Sequence, residues 1–110
     1  MGFSSVNEKD WKMFRNLLPK WQERYMESLV NEYMGILGSD DNASDKFWKL
    51  EEQMKEDRKE AGVVCEIGRS KMHSNIYELL DEGAITMDDL DGFSEELKEM
   101  ARSHVQWMSS

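Results

Sequence analysis

Nine carboxylates crowd residues 75 to 100: Glu78, Asp81, Glu82, Asp88, Asp89, Asp91, Glu95, Glu96 and Glu99, against one base, Lys98. Nine acids less one base is −8, most of the −9 carried by all 110 residues. Acids at this density can coordinate a cation, attract a basic partner, or only solvate and cap helices. Calcium fits poorly. With Gly92 as the loop glycine, Asp89 and Asp91 fall well, but the first ligand becomes Met87 and the closing glutamate becomes Lys98. With Asp40 as the first ligand, Asn42, Ser44 and Glu51 follow in step, but the glycine position holds Asp45.

Nucleophilic chemistry finds little to work with. Cys65 and His73, eight residues apart, would stand about 12 Å apart along a helix axis, too far for a thiolate pair. Cys65 therefore reads as a small buried hydrophobe. One Cys and two His cannot supply a structural zinc site or a disulfide framework. The chain has no glycine-rich phosphate loop, no HExxH and no GxSxG. The expectation is a protein without catalytic residues, metal or cofactor; a small helical enzyme is the third reading and would need a concave pocket with convergent polar groups.

Recognition is the better use of these residues. A field of this sign attracts basic partners and repels nucleic acid, so a protein partner with a basic surface is expected and direct nucleic-acid binding is not. Trp48, Tyr77 and Met87 fall off the main apolar stripes and are the candidate apolar anchors; Asp88, Asp89, Asp91, Glu95, Glu96 and Glu99 are the candidate charged contacts. The first functional reading is a non-enzymatic protein-binding or regulatory protein. The second is an acidic inhibitor that blocks a nucleic-acid-binding enzyme, which requires the acids to share one continuous face. Unused aromatic residues would also serve a homodimer.

The elements that must position these residues are helical, because apolar residues recur at three- and four-residue intervals and there is a single Pro. Asn7 should cap a first helix bearing Trp11, Phe14 and Leu17 or Leu18, which Pro19 should end. A second helix follows with Trp21, Tyr25, Leu29, Tyr33 and Ile36 or Leu37 on one side, and Gly38 stands where a left-handed cap would be needed. Ser44 caps a third with Phe47, Leu50 and Met54. A fourth carries Val64, Ile67, Met72, Ile76, Leu79 and Leu80 and closes at Gly83. Thr86 and Asp89 form a capping box over a short turn. A last helix shows a seam of Phe93, Leu97, Met100, His104 and Trp107.

The fold class expected is all-α, a compact bundle of about four main helices plus one or two short ones, in one domain over 1–110 with residues 1–6 disordered. The first residues have no basic segment followed by an apolar one, and no apolar run approaches the roughly 20 residues of a membrane span. No membrane association and a cytoplasmic location are therefore expected.

The wording LPKWQE at 18–23 with Tyr25 and Met26, DKFWKLE at 45–51, GVV at 62–64, GAITMDDL at 83–90 and FSEELK at 93–98 resembles a set of small all-helical bacterial proteins. The likeness runs from Phe14 to Met100. Such proteins often carry the label "multidrug transporter", which the absence of any membrane-length apolar run contradicts. The resemblance implies a helical fold and no assigned activity.

Overall fold

The computed structural model describes residues 6–109. Four α-helices follow one another: α1 (Glu8–Leu37), α2 (Ala43–Asp57), α3 (Met72–Asp81) and α4 (Glu95–Ser109). Single 3-10 turns at Arg69–Lys71 and Met87–Leu90 lead into α3 and towards α4. The all-α bundle read from the sequence is the architecture observed. Residues 1–5 of the segment expected to be disordered lie outside the described residues, while Val6 packs against the core. Among the described residues no helix is long and apolar enough to cross a membrane.

Helix α1 starts where expected. The Asn7 side-chain oxygen accepts from Lys9 N at 2.9 Å and Asp10 N at 3.1 Å. It does not stop at Pro19, and this corrects the expected break: Pro19 lies inside one 30-residue helix. Proline removes one backbone donor and crowds the preceding turn. Here the ring is exposed, and Trp11, Phe14, Leu18 and Trp21 are buried on one side of the helix on both sides of it in sequence. At about 2 kcal/mol or more per large buried side chain, these outweigh the roughly 3 kcal/mol a helix-interior proline costs.

The core is gathered at one end of the molecule. Trp11, Phe14, Leu18 and Trp21 of α1 meet Met72, Ile76 and Leu79 of α3, Ala84, Ile85, Leu90 and Phe93 of the following segment, and Leu97 and Ala101 of α4. Buried Asp10 ties α1 to α4, accepting from Ser94 N at 2.8 Å and Ser94 Oγ at 2.6 Å. Ser94 Oγ in turn accepts from Leu97 N, so the capping residue of α4 is itself fixed by α1. Gly83, at φ +77, ends α3 as expected.

Several expected stripes are redrawn. The fourth helix does not include Val64 and Ile67, which are 61% and 60% exposed in a non-helical segment before Met72. That segment is held by side chains instead: Glu82 accepts from Ala61 N and Gly62 N, and Asn75 Nδ2 donates to Glu66 O. The buried line of α4 runs through Leu97 and Ala101, leaving Met100 and Trp107 outward. Helix α2 is capped by Asn42, which reaches Asp45 N, rather than by Ser44. Gly38 ends α1 with a right-handed φ of −88, so no left-handed cap is used.

Candidate functional site

Helix α2 packs on the C-terminal half of α1 to make a helical hairpin that extends from the core. The molecule measures 57 × 29 × 22 Å, and the long dimension follows from the ~45 Å length of a 30-residue helix. No residue of α2, and none of α1 beyond Tyr25, belongs to the core cluster. Polar contacts tie α1 to the end of α2 and to the segment that follows it. Tyr33 Oη donates to Asp57 at 2.6 Å, and Gln53 Nε2 donates to the other oxygen of Asp57 at 3.0 Å. Tyr25 Oη donates to Glu60, and Gln22 Nε2 donates to Ala61 O at 2.9 Å. Burial and the Asp57 carboxylate push the Tyr33 hydroxyl up to about 12, so it remains a donor at neutral pH.

Leu29 is buried on the seam side of α1, with Ile36 and Leu50 half-buried, but most of the large apolar side chains of the arm face outward. Met26, Val30, Met34 and Leu37 of α1 and Phe47 and Met54 of α2 are all 42% to 63% exposed. At about 100° per residue the four α1 positions share one side of that helix, and Phe47 and Met54 share one side of α2 with Leu50 beside them. Both sides are reached by turning in the same sense from the α1/α2 seam. For antiparallel helices that places them on one common face. Phe47 and Met54, expected to point into a core, are therefore surface residues of this face.

The candidate anchors separate. Trp48 is 63% exposed and its ring meets that of Phe47 edge-on at 4.9 Å, so it borders the arm face. Tyr77 is half-buried and stacked on His104 at 4.5 Å, and His104 Nε2 lies 2.8 Å from Asp81. Met87 is half-buried against the core. The three do not form one surface; Trp48 alone stands on the arm.

The acids are likewise divided by their partners. Asp89 takes a two-pronged contact from Arg24, at 3.0 and 2.9 Å, and accepts from Thr86 N at 2.8 Å in the expected capping box. Burial opposes ionisation of Asp89, but Arg24 and the Thr86 donors prevail and hold its pKa low. Glu95 reaches Lys98 and Arg102, Glu99 reaches Arg102, and Asp81 faces His104. Glu82 is turned inward onto the loop at Ala61, where burial raises its pKa against the pull of two backbone donors. Glu78, Asp88, Asp91 and Glu96 remain without an ion pair or side-chain hydrogen bond among the described residues.

A cleft of about 390 Å³ lies beside Asn7 and is walled by Asp10, Arg69, His73, Ser94 and Glu96. Asp10 is hydrogen-bonded to Ser94 and Arg69 is paired with Glu8 at 2.9 and 3.0 Å, which leaves Glu96 as the carboxylate of this wall without an ion pair or side-chain hydrogen bond among the described residues. Among the described residues no group of three His, Cys, Asp or Glu side chains could hold a metal ion. Cys65 is half-buried, and burial together with Glu78 and Glu82 pushes its thiol up, away from the reactive thiolate. No known family, curated protein or solved structure matches the chain.

Proposed function

We propose that the chain is a non-enzymatic protein-binding protein and that the α1/α2 arm is its docking element. The observation that carries the reading is the arm's uneven burial: its helices are joined by the Tyr33–Asp57 hydrogen bond with Leu29 as the one buried apolar side chain, while six large apolar side chains face outward on one side. Contiguous exposed apolar surface rimmed by polar residues is what protein contact sites present. Met and aromatic residues fit such a site because they bury much area at little conformational cost. Glu78, Asp88, Asp91 and Glu96 add a charged contact suited to a basic partner. A lone cysteine and a surface of mixed charge favour work in the cytoplasm.

The acidic-inhibitor reading ranks below this one, because Asp81, Glu82, Asp89, Glu95 and Glu99 are engaged within the fold and the remaining acids form a thinner field. The test is affinity capture from native lysate with tagged wild type, an arm variant Met34→Glu/Phe47→Glu, and a variant neutralised at Glu78, Asp88, Asp91 and Glu96. The arm variant should lose the captured protein while keeping the wild-type circular dichroism. Retention by the arm variant and loss by the neutralised one would move the interface to the acids and favour the inhibitor.

A further inference from the structure

We infer that the occupant of the arm face is a second copy of this chain, the two arms closing face to face into an antiparallel four-helix bundle. The inference rests on the docking role proposed for the arm. Three observations select a second copy over a different protein.

The first is area. Side chains of this size present on the order of 150–200 Å² each when fully exposed, so six of them about half exposed amount to roughly 500–600 Å², and Trp48 adds to this. That lies at the upper end of the range for the largest apolar patch of a typical monomer, about 300–600 Å², and is below the ~800 Å² per partner of a stable interface, to which the flanking polar margins would add.

The second is geometry. A helical hairpin supplies half of an up-down four-helix bundle, and a two-fold axis along the arm sets α1 of each copy against α2 of the other, every neighbour antiparallel. The core would not obstruct this. On the wheel of α1, the side bearing Trp11, Phe14, Leu18, Trp21 and Tyr25 points more than a right angle away from the side bearing Met26, Val30 and Met34. The globular base therefore sits behind the face.

The third is charge. Glu23 and Glu27 follow the apolar side of α1 on its outer margin, with Lys20 a turn nearer the base, while Lys55 and Arg58 lie on the outer margin of α2, with Glu51 nearer the tip. Glu23, Glu27, Lys55 and Arg58 have no ion-pair partner within the chain among the described residues. Hydrogen bonds from Tyr25 to Glu60 and from Tyr33 to Asp57 show that these margins stand at the same level of the arm. The two-fold arrangement lays the acidic margin of each copy along the basic margin of the other, in the manner that selects partners in helical bundles.

Sedimentation equilibrium of the purified chain tests this, with circular dichroism to confirm that each variant is folded. Wild type should be a dimer at micromolar concentration and Met34→Glu/Phe47→Glu a monomer. Glu23→Lys/Glu27→Lys and Lys55→Glu/Arg58→Glu should each weaken self-association about tenfold or more, and an equimolar mixture of the two should recover dimers, because opposite margins then face each other. A monomeric wild type overturns the second copy as occupant, and the docking role of the arm then stands or falls on whether the arm variant loses its captured protein. A dimer that survives Met34→Glu/Phe47→Glu, or a charge-swapped pair that fails to recover dimers when mixed, overturns the proposed face or its pairing.

Discussion

Glu82 shows how one side chain can replace a stretch of secondary structure. Its two oxygens accept from Ala61 N at 2.9 Å and Gly62 N at 3.0 Å, satisfying donors that would otherwise be unpaired in a partly buried loop. Gly62 is required at this point, since a Cβ there would come within 2.2 Å of the Tyr25 ring. We expect Glu82→Ala to lower stability by about 1–3 kcal/mol in urea denaturation, the usual cost of orphaning buried donors; a loss within a few tenths would show that water serves the loop as well. The pH dependence has a definite sign. Burial raises the folded pKa of Glu82 above 4.5, so the folded state holds that proton more tightly, and this group's stabilising contribution is present below 4.5 and is lost as pH rises through the folded value. Relative to wild type, Glu82→Ala should therefore lack that loss. None of this was legible in the sequence, where Glu82 stood as one acid among nine. Asp89 was legible, because a capping box is a local pattern with fixed spacing, whereas the contact of Glu82 joins residues 20 and 21 positions apart.

Among the elements, α1 is the instructive case, since its start was legible from Asn7 and its length was not. A proline inside a helical pattern argues locally for a break, and only the burial on both sides of it argues against one. If tertiary packing carries the helix through Pro19, the local cost of the proline is still present in the folded state. Pro19→Ala should then raise stability by about 1–3 kcal/mol, through the restored donor and the better helix propensity. An unchanged or lower melting temperature would mean that the proline fits the local curvature of α1 and carries little cost. The errors at Val64, Ile67, Phe47 and Met54 have a common cause. Apolar periodicity marks a side chain as able to be buried, but what lies opposite it depends on where the chain turns. Residues 61–68 turn early because Gly62 and Asn75 accommodate a loop; α2 turns its apolar side to the edge because its other side is occupied by Asp57 and the tyrosines.

At the scale of the whole molecule, the division between a packed base and a sparsely buried arm should be visible in its dynamics. Helix α2 buries a single side chain, Asp57, whereas α3 buries four of its ten residues. Regions with few buried apolar contacts open locally at low free-energy cost, so as a monomer the arm should exchange its amide hydrogens well before α3 and the first half of α1. A second copy seated on the face would add apolar burial to the arm alone. Its protection should then rise with protein concentration as mass action fills the dimer, while that of the base stays constant. In Met34→Glu/Phe47→Glu the concentration dependence should vanish and the arm should exchange fast throughout. An arm as protected as the base in dilute wild type would mean that the seam of Leu29 and the Tyr33–Asp57 hydrogen bond holds the hairpin by itself. Its outward apolar face would then be a rigid surface, formed in advance of whatever docks on it.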